Sequence, residues 1–164
     1  MTDRRPVSGA GSTSNETGDA IVAAVTAPEL HALYAHWKSR CRDGQLPSPK
    51  QVEPLDLPRL MGFLLTLDVH RDPLRFLYRY TGATLVARSG LELVGTFVDE
   101  HPDTAFRHIA QSTLTDVVNK GRPYAVVRDM FLDGRLRRYD MLALPLASDG
   151  KTVERIIIGM KHWD

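Results

Sequence analysis

The chain has 164 residues, with 21 Lys and Arg against 20 Asp and Glu, for a formal net charge of +1. That length suits one domain with its own core, and the charge balance leaves no surplus for the basic face of a nucleic-acid binder or for a polybasic membrane patch. A single cysteine, Cys41, excludes an intramolecular disulfide, and no apolar run is long enough to cross a bilayer, so a cytoplasmic protein is the default expectation.

Residues 8–18 hold Ser, Gly, Thr, Asn and Glu with no apolar group larger than Ala. Such a segment buries too little surface to offset its chain entropy, and residues 1–25 are expected to be a disordered tail. Arg4-Arg5 lead into Pro, Ser, Gly and Thr rather than an apolar stretch, so they are no export signal. The apolar run Ala20 to Val25 reads as a short lead-in. Structure is expected from residue 26 onward, as one domain to residue 164.

Thr26-Ala-Pro-Glu29 fits a capping box. The helix behind it carries Leu30, Leu33, Tyr34, Trp37 and Cys41 on one stripe, and Gly44 is its expected stop. Four prolines between 47 and 58 make the next stretch a connector, with one helical turn over 56–61 capped by Asp56. Residues 63–69 and 75–81 read as two strands joined at Asp72-Pro73. A short helix over 83–89 stops at Gly90. Asp103 caps a longer helix, 104–119, whose Phe106, Ile109, Leu114 and Val117 are expected to point inward, and Gly121 ends it.

Three strands follow, 124–131, 135–147 and 152–162, with Asp133-Gly134 and Asp149-Gly150 as tight turns. The helices between the second and third strands must cross one face of the sheet. The result is an α+β domain: a five-stranded antiparallel sheet with helices on one face plus an N-terminal helix. Along 139–146, Tyr139, Met141, Ala143 and Pro145 alternate with Asp140, Leu142, Leu144 and Leu146. Ile156, Ile157 and Ile158 likewise put apolar groups on both faces. The second face therefore needs a cover, either the N-terminal helix or a second subunit.

This order of elements, with Tyr34-Ala-His-Trp37, Gly44-Gln-Leu-Pro47, Pro54-Leu-Asp-Leu-Pro58, Phe76-Leu-Tyr-Arg-Tyr-Thr-Gly82, Val94-Gly-Thr-Phe-Val-Asp99 and Pro145-Leu146 before Asp149-Gly150, resembles the PAS fold. More narrowly, it resembles a bacterial PAS-like family first catalogued as a domain of unknown function and common in alphaproteobacteria. The resemblance spans about residues 30–162. It implies a regulatory module that holds a small ligand or cofactor between sheet and helices, pairs through the outer sheet face or N-terminal helix, and signals onward. The length of the chain implies a free-standing module whose output a partner signalling protein carries.

Ligand contacts are then expected from Tyr78, Tyr80, His108, Tyr124, Tyr139 and Met141, with Phe76, Tyr78 and Tyr80 on one strand face. A homodimer or partner interface is expected at Leu33, Tyr34, Trp37 and Ile157. The sequence does not name a cofactor. Flavin-binding light sensors carry a cysteine in the short helix after the second strand, where residues 84–90 here have none. Haem would need an imidazole such as His101 or His108 beside a large apolar pocket. Arg75 and Arg79 read as a solvated sheet face, with anion recognition as the alternative. No histidine has a metal-ligating neighbour at helical spacing, and no catalytic motif or acid–base pair is present. The expectation is a non-enzymatic sensor. The alternatives are a ligand-free adaptor, or a cone-shaped isomerase or hydrolase built on Asp68 or Asp140 with Tyr80 or Tyr139.

Overall fold

The computed structural model describes residues 13–132 and 135–163. Helices α1 (Thr13–Val22) and α2 (Pro28–Arg40) lead into the connector, where three 3-10 turns lie at Pro49–Gln51, Pro54–Asp56 and Met61–Phe63. Strands β1 (Leu64–His70) and β2 (Arg75–Thr81) form a hairpin. Helix α3 (Ala83–Ser89), a 3-10 turn at Val98–Glu100 and helix α4 (Thr104–Lys120) follow, then β3 (Tyr124–Leu132), β4 (Arg135–Leu146) and β5 (Arg155–Trp163). The strands pair antiparallel throughout, in the order β2-β1-β5-β4-β3. The expected α+β sheet is the observed one. Asp103 caps α4 by accepting from the Phe106 N–H at 3.0 Å, and Gly121 takes the left-handed conformation that ends it.

The core has two layers, one on each face of the sheet. On the outer face Val22, Val25, Leu30, Leu33, Tyr34 and Trp37 pack against Leu64, Leu142, Leu144, Leu146 and Ile157. On the inner face Leu67, Phe76, Tyr78, Ala143, Ile156 and Ile158 pack against Leu114 and Val117 of α4. The cover that the doubly apolar strands require is thus the chain's own N-terminal segment. Gly159 of β5 makes the close fit possible, because a Cβ there would stand 2.6 Å from Leu30 Cδ2 and 3.0 Å from Leu33 Cδ2. Pro145 sits in β4 past the point where β3 begins, since Tyr124 already pairs with Ala143. Its missing N–H costs nothing there, and its carbonyl accepts from Trp37 Nε1 at 2.9 Å.

Several expectations are corrected. Leu33, Tyr34, Trp37 and Ile157, assigned to a homodimer or partner interface, are buried inside the subunit; their apolar character serves the outer core layer. Part of the stretch expected to be a tail is α1. Its Asp19 accepts from the Tyr34 hydroxyl at 2.8 Å and from Lys38 Nζ at 2.8 Å, contacts the composition of 8–18 does not encode. Residues 1–12 and the Asp133-Gly134 turn lie outside the described residues. The box at Thr26–Glu29 does not form. Helix α2 starts at Pro28 without a local side-chain cap, and Asp140 of β4 takes that role from across the sheet.

Asp140 is 1% exposed. Its Oδ2 accepts from the Thr26 N–H at 2.7 Å, the Ala27 N–H at 3.1 Å and Thr26 Oγ1 at 3.3 Å. Its Oδ1 accepts from Trp163 Nε1 at 3.0 Å. Burial would raise its pKa, but the bonds from Thr26, Trp163 and Ala27 together outweigh burial and leave it below the ordinary value. The positive end of the α2 dipole favours the same charge.

On α4, Leu114 and Val117 are buried as expected, whereas Phe106 and Ile109 are exposed. Only the second half of the helix lies on the sheet. The last connection also differs from a tight turn: β4 and β5 begin pairing at Leu146 with Arg155, leaving 147–154 as a broad loop. Asp149 organises it by accepting from the N–H groups of Lys151 and Thr152 at 2.9 and 2.7 Å, and Val153 drops into the inner layer.

Candidate ligand-binding cleft

Three concavities among the described residues differ in kind. One groove of about 320 Å³ runs between α1, the end of α4 and the start of β3. The most open, about 460 Å³, lies along the outward side of α4 beside Asp99. The third, about 360 Å³, is the most enclosed and penetrates between the sheet and α3. A site that withdraws a small molecule from water needs this last kind of shape.

The floor of the cleft is the inner sheet face: Leu65 of β1, Tyr78 and Thr81 of β2, Tyr139 of β4, and Met160 and His162 of β5. Register brings these together. Leu65 faces Thr81 across one strand pair and Tyr139 faces His162 across another, and the two rings lie 5.7 Å apart. Leu85, Val86, Arg88 and Ser89 of α3 form one wall, and Leu91 and Leu93 continue it. The opposite wall is the start of α4, with His101 and Asp103 and with Phe106, whose ring lies 4.2 Å from that of His101. Arg137 of β4 also lines the cleft.

The polar groups here have distinct states. Burial raises the Tyr78 phenol to about 12, so it is a neutral hydrogen-bonding group at pH 7. Burial also lowers His101, against the opposing pull of Asp103, which favours a neutral imidazole. The Thr81 hydroxyl is shut off from water and has no hydrogen-bond partner among the described residues. A buried hydroxyl without a partner costs free energy, so Thr81→Val is expected to raise the stability of the ligand-free protein by about 1 kcal/mol. Urea unfolding measures this, and an equal loss instead would mean the hydroxyl is already bonded.

Of the six expected ligand contacts, Tyr78 and Tyr139 line the cleft. Met141 packs in the same inner layer but does not line it. Tyr80 is on the other face: the β1–β2 register slips between Thr66 and Leu67, so Thr66 pairs with Tyr80 while Leu67 pairs with Tyr78. This bulge at Arg79 turns Tyr80 to the outer layer, where its hydroxyl donates to the Met61 carbonyl at 2.8 Å. His108 is exposed and borders the open groove on α4, because the part of the helix it occupies has turned away from the sheet. Tyr124 borders the groove beside α1 instead.

The other weighed residues also find places. Arg75 pairs with Asp99 at 2.7 and 2.8 Å and stacks on Phe97. Asp68 accepts from Arg155 at 2.7 Å and from Arg79 at 3.3 Å. Asp68 and Asp140 both lie on the outer face, so neither carboxylate an isomerase would need reaches the cleft. Cys41 is half-buried on the outer side and its thiol is raised to about 11 by burial. Sequence reasoning missed the α3 wall, Thr81, Arg137, Met160 and His162. The last two share strand parity with Ile156 and Ile158, which is the signal that could have found them.

The family model described as PAS domain matches residues 25–160. No curated protein matches the chain. Among solved structures, the PAS domain of Bordetella pertussis BvgS is similar at 17% identity and a TM-score of 0.51, covering 67% of this chain and 86% of that one. The PAS domain of histidine kinase ThkA is 18% identical, with a TM-score of 0.46, over 60% of this chain and 96% of that one. At these identities the likeness to BvgS is one of fold.

Proposed function

Because the chain belongs to the PAS domain family, we propose that it is a sensory module that binds a small molecule in the cleft between the inner sheet face and α3. It works in the cytoplasm and passes the signal to a partner protein. The observation that carries the reading is the cleft itself: about 360 Å³, walled mostly by apolar side chains, with a few convergent polar groups. A ligand-free adaptor has no use for a partly enclosed apolar cleft of that size. The role is binding rather than chemistry. The cleft's one carboxylate, Asp103, accepts from the first turn of α4.

The ligand acts by favouring one packing of α3 and α4 on the sheet over another, since only a difference in affinity between states can shift their populations. A homodimer no longer follows from an uncovered outer face, because α1 and α2 occupy that face. Among the described residues no helix is long and apolar enough to cross a membrane.

Native mass spectrometry of the purified full chain tests the reading. A bound mass is expected in the wild type, and Leu85→Trp, which fills the cleft from the α3 wall, is expected to lose it while remaining folded by circular dichroism. An unliganded spectrum that stays unliganded after incubation with a small-molecule extract would overturn the sensory reading in favour of the adaptor.

A further inference from the structure

We propose that the ligand is an uncharged, largely apolar carbonyl compound held by Tyr78, an inference that rests on the sensory reading of the cleft and narrows it. Tyr78 is 4% exposed and lines the floor of the cleft. Burial alone accounts for the raised state of its phenol, with no hydrogen bond contributing. A buried tyrosine hydroxyl ordinarily has a partner, and this one can donate to an acceptor that enters the cleft. A second donor stands on the wall at the start of α4. There His101 Nδ1 accepts from the Asp103 N–H at 3.1 Å, so the neutral ring carries its proton on Nε2.

Nothing in the lining calls for a charge on the ligand. Asp103 accepts from the Phe106 N–H at the positive end of the α4 dipole. Arg88 and Arg137 each already have a partner, and burial favours the neutral form of His101. An ion would surrender its water here with no uncommitted counter-charge to meet it, and that desolvation penalty decides against it. The body of the ligand meets Leu65, Leu85, Val86, Leu93 and Met160, hydrocarbon that suits an alkyl or aryl chain.

Equilibrium dialysis of the full chain at neutral pH against butyrophenone, butylbenzene and phenylbutyrate tests this. The three probes share the phenyl ring and the carbon chain, and carry a carbonyl, no polar group and a carboxylate respectively. Butyrophenone is expected to bind at least about tenfold more tightly than phenylbutyrate. Tyr78→Phe is expected to weaken butyrophenone by about fivefold and to leave butylbenzene unchanged, which is the control for a folded cleft. Phenylbutyrate binding as tightly as butyrophenone overturns the inference, as does butyrophenone affinity that survives Tyr78→Phe. If no probe binds but a mass co-purifies in native mass spectrometry, its loss from Tyr78→Phe supports the inference and its retention overturns it. A co-purified ion overturns the inference and leaves the sensory reading standing. If no probe binds and the native spectrum is unliganded, both fail.

Discussion

Asp140→Ala is expected to destabilise the protein by about 4 kcal/mol, as large an effect as any single substitution outside the apolar core. The carboxylate is buried and serves the N–H groups of Thr26 and Ala27 together with Trp163 Nε1. Removing it takes the acceptor from all three donors, of which the Ala27 N–H is buried, and a donor left unpaired away from water costs about 1–3 kcal/mol. Asp140→Asn keeps the shape and one acceptor, which can serve the Thr26 and Ala27 N–H groups or Trp163 Nε1 but not both, so roughly half that loss is expected.

The pH dependence follows from the lowered pKa of Asp140. A carboxyl whose folded pKa lies below its unfolded value contributes stability above the unfolded value and loses it as pH falls through the folded one. The gap in unfolding free energy between wild type and Asp140→Asn is therefore widest at neutral pH and shrinks below about pH 4. Equilibrium urea unfolding at both pH values measures it. A gap that stays constant across that range would remove the ionised carboxylate from the account.

Gly82→Ala is expected to cost about 3 kcal/mol or more. A Cβ at Gly82 would lie 2.3 Å from the Met61 carbonyl oxygen and 2.4 Å from that of Gly62. These are backbone atoms in the 3-10 turn that α3 packs on, so relief requires moving α3 as a body, and with it the wall of the cleft. Gly62→Ala is the control. Its Cβ would meet the Thr84 hydroxyl at 2.7 Å, and a side chain can rotate away, so a loss below about 1 kcal/mol is expected. Similar losses for the two substitutions in urea unfolding would mean that the approach of backbone to backbone at Gly82 is not the constraint.

The architecture was legible because apolar runs of strand length lie between turn signals and because α3 and α4 end at their own left-handed glycines, Gly90 and Gly121. The site was less so, for two physical reasons. Strand parity tells which face a residue takes only while the ladder is regular, and the bulge at Arg79 breaks it between Tyr78 and Tyr80. Partner identity depends on loop length. A two-residue turn at Asp149-Gly150 would pair Tyr139 with Met160, whereas the broader loop pairs it with His162. That shift of two residues preserves parity, which is why the assignment of Tyr139 to the inner face survives although its neighbour was not foreseen. His108 illustrates a third limit. A helix pattern gives an apolar side, but how much of its length reaches the sheet is set by the loop that delivers it.

The rings of Tyr139 and His162, which touch in the cleft, are each followed at once by a residue on the far side of the sheet, Asp140 and Trp163, and those two side chains bond to each other. Both couples ride on the same two backbone segments, one peptide apart. In the proposed sensory role, a molecule that shifts the backbone beneath those rings would also shift the clamp on α2, through the thickness of a single β layer. On that reading, occupancy of the cleft and the grip on the N-terminal helix would be linked through the same pair of strands, β4 and β5.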